Sequence, residues 1–81
     1  MNNLFFEQWL INEKKMSNRS ARDVVSRQKR VEKLIGTGNF NENTLELLAE
    51  NEQFSQLSVY IKSQLKRAVT LVLEYLETVD E

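Results

Sequence analysis

The sequence contains no cysteine, no proline and no histidine, and its two glycines, Gly36 and Gly38, lie two residues apart. Without cysteine there is no disulfide framework and no thiolate metal site, which fits a reducing compartment. Without proline, almost nothing along the chain interrupts a helix. No apolar run approaches the ~18 residues that span a bilayer, and the N-terminus lacks the features of a signal peptide. We therefore expect a cytoplasmic protein that makes no membrane contact.

The length and composition are those of one small globular domain. The chain has 81 residues, of which 41% are hydrophobic and 28% are charged. This balance argues against disorder, although the length is near the lower limit for a domain stabilised by an apolar core alone. No repeat, low-complexity segment or linker divides the chain. We expect a single helical domain over residues 1–81.

The net charge of −1 conceals a strong segregation of charge along the chain. Residues 14–33 hold eight lysines and arginines against two acids, Asp23 and Glu32. Residues 62–67 hold the other three basic residues and no acid. Such segregation favours a polyanionic partner even where the total charge is close to zero.

Hydrophobic periodicity and capping residues predict an all-α, compact four-helix bundle. Ser17 or Ser20 begins the second helix and Gly36 ends it, while Asn43 and Glu46 resemble a capping box ahead of the third. Counted in chain order, the helices are expected over residues 3–14, 17–36, 43–51 and 58–78.

The apolar positions of the four helices predict which side chains form the core. The most regular stripe lies in the last helix, and Val69, Leu71 and Leu73 add apolar surface around most of that helix. This surplus is either central to the bundle or covered by a partner. The predicted core consists of Trp9, Val24, Val31, Leu48, Phe54, Leu57, Ile61, Leu65, Ala68, Val72 and Leu76.

The second helix has one apolar face and one basic face. A helical wheel places Ala21, Val24, Val31 and Ile35 on one side and the basic residues on the other. A solvated surface would explain the basic face, but few acids are available to pair with it. A second basic patch begins the last helix, and the two patches would merge if the helices pack side by side. The candidate DNA-binding residues are Arg19, Arg22, Lys29, Arg30, Lys33, Lys62, Ser63 and Lys66.

The order of these features resembles the SAM-like, N-terminal core-binding domain of tyrosine recombinases, the phage integrases. The resemblance is carried by Trp9-Leu10, the basic link at residues 14–17, Ser20 near the start of the second helix, and residues 57–77. The chain departs from the family pattern at Val24 and Gln28, where the family prefers tyrosine and leucine. The resemblance implies a clamp domain that contacts duplex DNA through its second and fourth helices.

The sequence offers no catalytic residues. The recombinase family keeps its catalysis in a separate domain that uses histidine, and this chain has none. Tyr60 and Tyr75 are interpreted as packing aromatics, and the C-terminal acids follow no metal-ligand spacing. The segment at residues 36–39 lacks the ending of a phosphate loop. We expect a protein that is not an enzyme and needs no cofactor or metal.

Two functional hypotheses remain open at this point. The first is a non-catalytic module that binds double-stranded DNA weakly and in a salt-dependent manner. The second is a helical protein–protein interaction domain, or a self-associating one, that uses the apolar surface of Val69, Leu71 and Leu73.

Overall fold

The computed structural model describes residues 2–79 and contains five helices and no strand within that range. The all-α bundle predicted from the sequence is confirmed, with one more helix than expected. None of the helices in residues 2–79 is long and apolar enough to cross a membrane. In chain order the helices are α1 (Asn3–Glu13), α2 (Asn18–Ile35), α3 (Thr44–Glu50), α4 (Glu52–Ser55) and α5 (Val59–Val79).

The additional helix, α4, lies in the segment expected to connect the third and fourth predicted helices. It begins because the side chain of Asn51 accepts a hydrogen bond of 2.8 Å from the backbone N–H of Phe54. The side-chain nitrogen of Asn51 also donates to the carbonyl of Leu34, at 2.8 Å, at the end of α2. Asn51 therefore starts one helix and joins it to another.

The two ends of α2 follow the predicted caps. The hydroxyl of Ser17, the first of the two candidate caps, accepts a hydrogen bond of 3.1 Å from the backbone N–H of Ser20. At the other end Gly36 adopts the left-handed conformation with φ 77° and donates to the carbonyl of Glu32 at 2.9 Å.

The capping box predicted for α3 is wrong. Asn43 has no side-chain capping bond. Instead, the side chain of Asn41 accepts from the N–H of Asn43 at 2.7 Å, and the hydroxyl of Thr44 accepts from the N–H of Asn41 at 2.8 Å. The turn ahead of α3 is therefore organised by Asn41 and Thr44, because their side chains lie within reach of backbone donors two and three residues away.

The core lies where α2 and α5 pack side by side, with α1 against both and α3 closing one end. Seven of the predicted core residues are buried, and four others (Trp9, Leu57, Ile61 and Leu76) are only partly buried at its edge. The core also takes in residues that were not predicted, among them Phe6, Leu10, Val25 and Phe40. The full set of buried hydrophobic residues is Phe6, Leu10, Ala21, Val24, Val25, Val31, Phe40, Leu48, Phe54, Leu65, Ala68, Val69, Leu71, Val72 and Tyr75.

Three aromatic rings form a cluster between α1 and α5. The ring of Phe6 lies 5.4 Å from that of Tyr75 and 6.2 Å from that of Trp9, measured between centroids. Trp9 meets Tyr75 edge-on at 5.5 Å. Tyr75 is thus a packing residue as expected, whereas Tyr60, also interpreted as packing, is 72% exposed. Tyr60 lies in the first turn of α5, before that helix reaches the core.

The apolar interface suggested for a protein partner is also wrong. Val69 and Leu71 are buried in the core, and Leu73 is partly buried against it. The reason is that α5 contacts α1, α2 and α3. Val69 and Leu71 are therefore covered within the chain itself, and Leu73 is covered in part.

Candidate nucleic-acid interface

The basic side chains of α2 lie on the side of the helix that faces away from the core. We call this surface the outer face of α2; every residue on it is exposed, whereas Ala21, Val24, Gln28 and Val31 on the opposite side are buried. The face runs for about four turns of helix. It consists of Arg19, Arg22, Ser26, Lys29, Arg30 and Lys33.

The positive charge of this face is not neutralised within the part of the chain that the structure describes. The single ion pair among residues 2–79 joins Lys14 and Glu74, outside α2. Arg22 donates from Nε to the carbonyl of Asn18 at 3.4 Å, a long contact that leaves its charge unpaired. The six cations of α2 therefore offer their donors to an external anion.

A buried glutamine holds Glu32, one of the two acids in this basic stretch, by a hydrogen bond. Gln28 is 1% exposed, and its Nε2 donates to Glu32 Oε2 at 2.6 Å and to Asn3 Oδ1 at 3.1 Å. This arrangement holds the carboxylate on the flank of α2 that faces α1. Glu32, Lys29, Lys33 and Asn3 line an open groove of about 550 Å³ on that flank, next to the turn at residues 36–38.

The residues of the second basic patch lie in two different surroundings, one beside α4 and one exposed to solvent. Lys62 is half-buried, and its Nζ lies 5.9 Å from the centroid of the Phe54 ring in α4. Ser63 and Lys66 are exposed on α5. Lys62 therefore lies beside α4, whereas Ser63 and Lys66 face solvent.

Two arginines absent from the candidate set line one cleft between α2 and α5. Arg27 of α2 and Arg67 of α5 line one cleft of about 310 Å³, which we call the seam cleft. Both lie inside the basic windows of the sequence. Arg27 lies at the border between the apolar and basic faces of the helical wheel, and the sequence does not show which border meets another helix. The seam cleft is completed by Met16, Ser20, Asp23 and Val24.

Two further observations bear on the kind of site. Within residues 2–79 no group of three or more histidine, cysteine, aspartate or glutamate side chains is placed to hold a metal ion. Trp9, an aromatic side chain of a type that can stack on bases, packs against Phe6 and Tyr75. The chemistry available on this surface is therefore that of guanidinium, ammonium and hydroxyl donors.

Comparison with known proteins adds no functional information. No protein-family model, no curated protein and no solved structure matches this chain. The function is therefore inferred from the residues of the chain and their surroundings.

Proposed function

We propose that this protein is a non-catalytic module that binds the phosphate backbone of duplex DNA. The observation that carries the proposal is the outer face of α2, where exposed lysines and arginines have no ion-pair partner among residues 2–79. In a domain whose net charge is −1, a one-sided field of this kind attracts a polyanion and orients it.

The dimensions of α2 suit a nucleic-acid backbone. From Arg19 to Lys33 the helix rises about 21 Å at 1.5 Å per residue, so cations are spread over several consecutive phosphates. An α-helix about 10–12 Å across also fits the major groove, which is about 12 Å wide. The proposed contacts are to phosphate, and such contacts position a protein on DNA without selecting a sequence.

The resemblance to the core-binding domain of tyrosine recombinases supports the same role. It implies that the second and last helices meet the duplex, and the two basic windows of this chain lie in α2 and α5. These are the helices that pack side by side in the bundle. Within such a role, Arg19, Arg22, Lys29, Arg30 and Lys33 contact the backbone from α2, and Ser63 and Lys66 contact it from the start of α5.

The test is a titration of fluorescently labelled duplex with the protein at low and at moderate salt. We expect a dissociation constant of ~10⁻⁴–10⁻⁶ M at physiological salt, the range of non-specific DNA binding, and a steep loss of affinity as salt rises. Simultaneous replacement of Arg22, Lys29 and Lys33 by glutamate should abolish binding. The three side chains are exposed, so the helical content measured by circular dichroism should not change.

The matched control is Glu46→Gln, which alters one charge on the exposed surface of α3. This variant should bind DNA as the wild type does. If the triple variant retains wild-type affinity, the outer face of α2 is an ordinary solvated surface and the proposal is wrong. If binding to the wild type is insensitive to salt, the interaction is not with phosphate.

A further inference from the structure

The seam cleft is lined by one arginine from each of two helices. Arg27 is half-buried and Arg67 is exposed, and both line a cleft of about 310 Å³ between α2 and α5. Neither side chain has an ion-pair partner among residues 2–79, although Asp23 lines the same cleft. A bound anion in the cleft would be attracted by both of these charges.

The donors of the residues lining the seam cleft match one phosphate group. A guanidinium presents a planar fork of N–H donors that fits two oxygens of a phosphate, and the two arginines line the cleft from different helices. The hydroxyl of Ser20, which also lines the cleft, is a third donor. We propose that the seam cleft binds a single phosphate group of the duplex backbone and so anchors the DNA between α2 and α5.

The position of the seam cleft connects it with the proposed DNA surface. Arg30 lies three residues after Arg27 and is exposed, so the two are neighbours on the surface of α2. Ser63 lies four residues before Arg67 and is exposed on α5. A phosphate in the cleft therefore has neighbouring donors on both helices. The identity of the ligand rests on the proposed function, whereas the existence of a phosphate site is testable without DNA.

The first test removes the forked donors while keeping the charge. In the double variant Arg27→Lys with Arg67→Lys, each point charge remains but the planar fork is lost. We expect duplex affinity to fall about tenfold, as for the loss of one hydrogen bond to a charged group, with little change in salt dependence. An affinity equal to that of the wild type would overturn the proposal. Circular dichroism confirms that the variant is folded.

The second test increases binding and does not depend on the stability of the arginine variant. Asp23 is exposed, and its carboxylate repels a phosphate in the cleft that it lines. Asp23→Asn should therefore tighten duplex binding by about threefold at low salt. Glu46→Gln makes the same change of charge away from the cleft and should leave the affinity as it is. Equal duplex affinities of the Asp23→Asn and Glu46→Gln variants would contradict the binding of a phosphate in the seam cleft.

The third test separates failure of this inference from failure of the proposed function. Inorganic phosphate is titrated into the wild-type protein, and the Nε–Hε signals of all five arginines are followed by NMR. The proposal expects the signals of Arg27 and Arg67 to shift together and more than those of Arg19, Arg22 and Arg30. If this occurs and duplex does not bind, the phosphate site stands and the DNA function fails. If duplex binds but the Arg27 and Arg67 signals do not shift more than those of the other arginines, the seam cleft does not anchor the DNA.

Discussion

Gln28 Nε2 donates a hydrogen bond of 3.1 Å to Asn3 Oδ1, which ties the middle of α2 to the first residue of α1. The same nitrogen donates to Glu32 Oε2. The other side-chain atom of this amide, Gln28 Oε1, is buried and has no partner among residues 2–79. The amide nitrogen therefore joins two helices. The amide oxygen lowers the free energy of unfolding, because it is buried without a hydrogen-bond donor.

Replacement of this glutamine by methionine should stabilise the fold. Gln28→Met keeps the length of the side chain and removes the buried acceptor, while Asn3 and Glu32 are only partly buried and can turn to water. We expect the free energy of unfolding to rise by about 1 kcal/mol in urea denaturation. Gln28→Ala, which leaves a cavity at the same place, should lower it. If the methionine variant is less stable than the wild type, the hydrogen bonds outweigh the unsatisfied oxygen.

The two glycines should respond differently to alanine because only one of them needs a left-handed conformation. At Gly36, with φ 77°, a Cβ would meet nothing within 4 Å, so the cost of Gly36→Ala is that of the backbone alone. We expect a loss of about 1 kcal/mol in the free energy of unfolding. At Gly38 the Cβ would make ordinary contact with the carboxylate of Glu32, at 3.5 Å or more. Gly38→Ala should be neutral or slightly stabilising. Equal losses at both positions would contradict the argument that only Gly36 needs the left-handed conformation.

Leu65 tests the position of the apolar stripe on α5. Its side chain is 1% exposed, so Leu65→Ala should cost roughly 2–5 kcal/mol, a large part of the stability of so small a domain. Leu47, 48% exposed on α3, provides the control, since Leu47→Ala should cost far less. Chemical denaturation of both variants gives the comparison. An unchanged denaturation midpoint for the Leu65 variant would place the stripe on the wrong side of the helix.

Lys14 joins α1 to α5 at the surface and should contribute little to stability. It pairs with Glu74, and its Nζ lies 5.5 Å from the centroid of the Trp9 ring. Both charged side chains are partly exposed, so we expect a coupling of about 0.2–1 kcal/mol. A double-mutant cycle with Lys14→Gln and Glu74→Gln measures it. The coupling should shrink when the cycle is repeated in 1 M salt, which screens exposed charges. A coupling that persists there would indicate that the pair is not exposed to solvent.

The sequence by itself determined most of the features that depend on neighbouring residues, although not the cap of α3. Helix α2 is capped by Ser17, one of the two expected N-caps, and by Gly36, because capping uses groups within one turn of the helix. The last helix, expected over residues 58–78, runs from Val59 to Val79. The division of α2 into an apolar and a basic face also follows from the helical period alone. The extra helix at Glu52–Ser55 was missed because its four residues are too few to show a period.

Only the tertiary structure decided which flank of each helix meets which neighbour. Periodicity marks a buried side but does not say what covers it, so Val69 and Leu71 could not be assigned to the core rather than to a partner. The same limit explains why Phe6 occupies the core while Trp9 lies at its edge. It also explains the seam cleft, which Arg27 and Arg67 line because α2 and α5 pack against each other. Contacts between distant parts of the chain follow from the fit of whole helix surfaces, and the spacing of residues along one helix does not encode that fit.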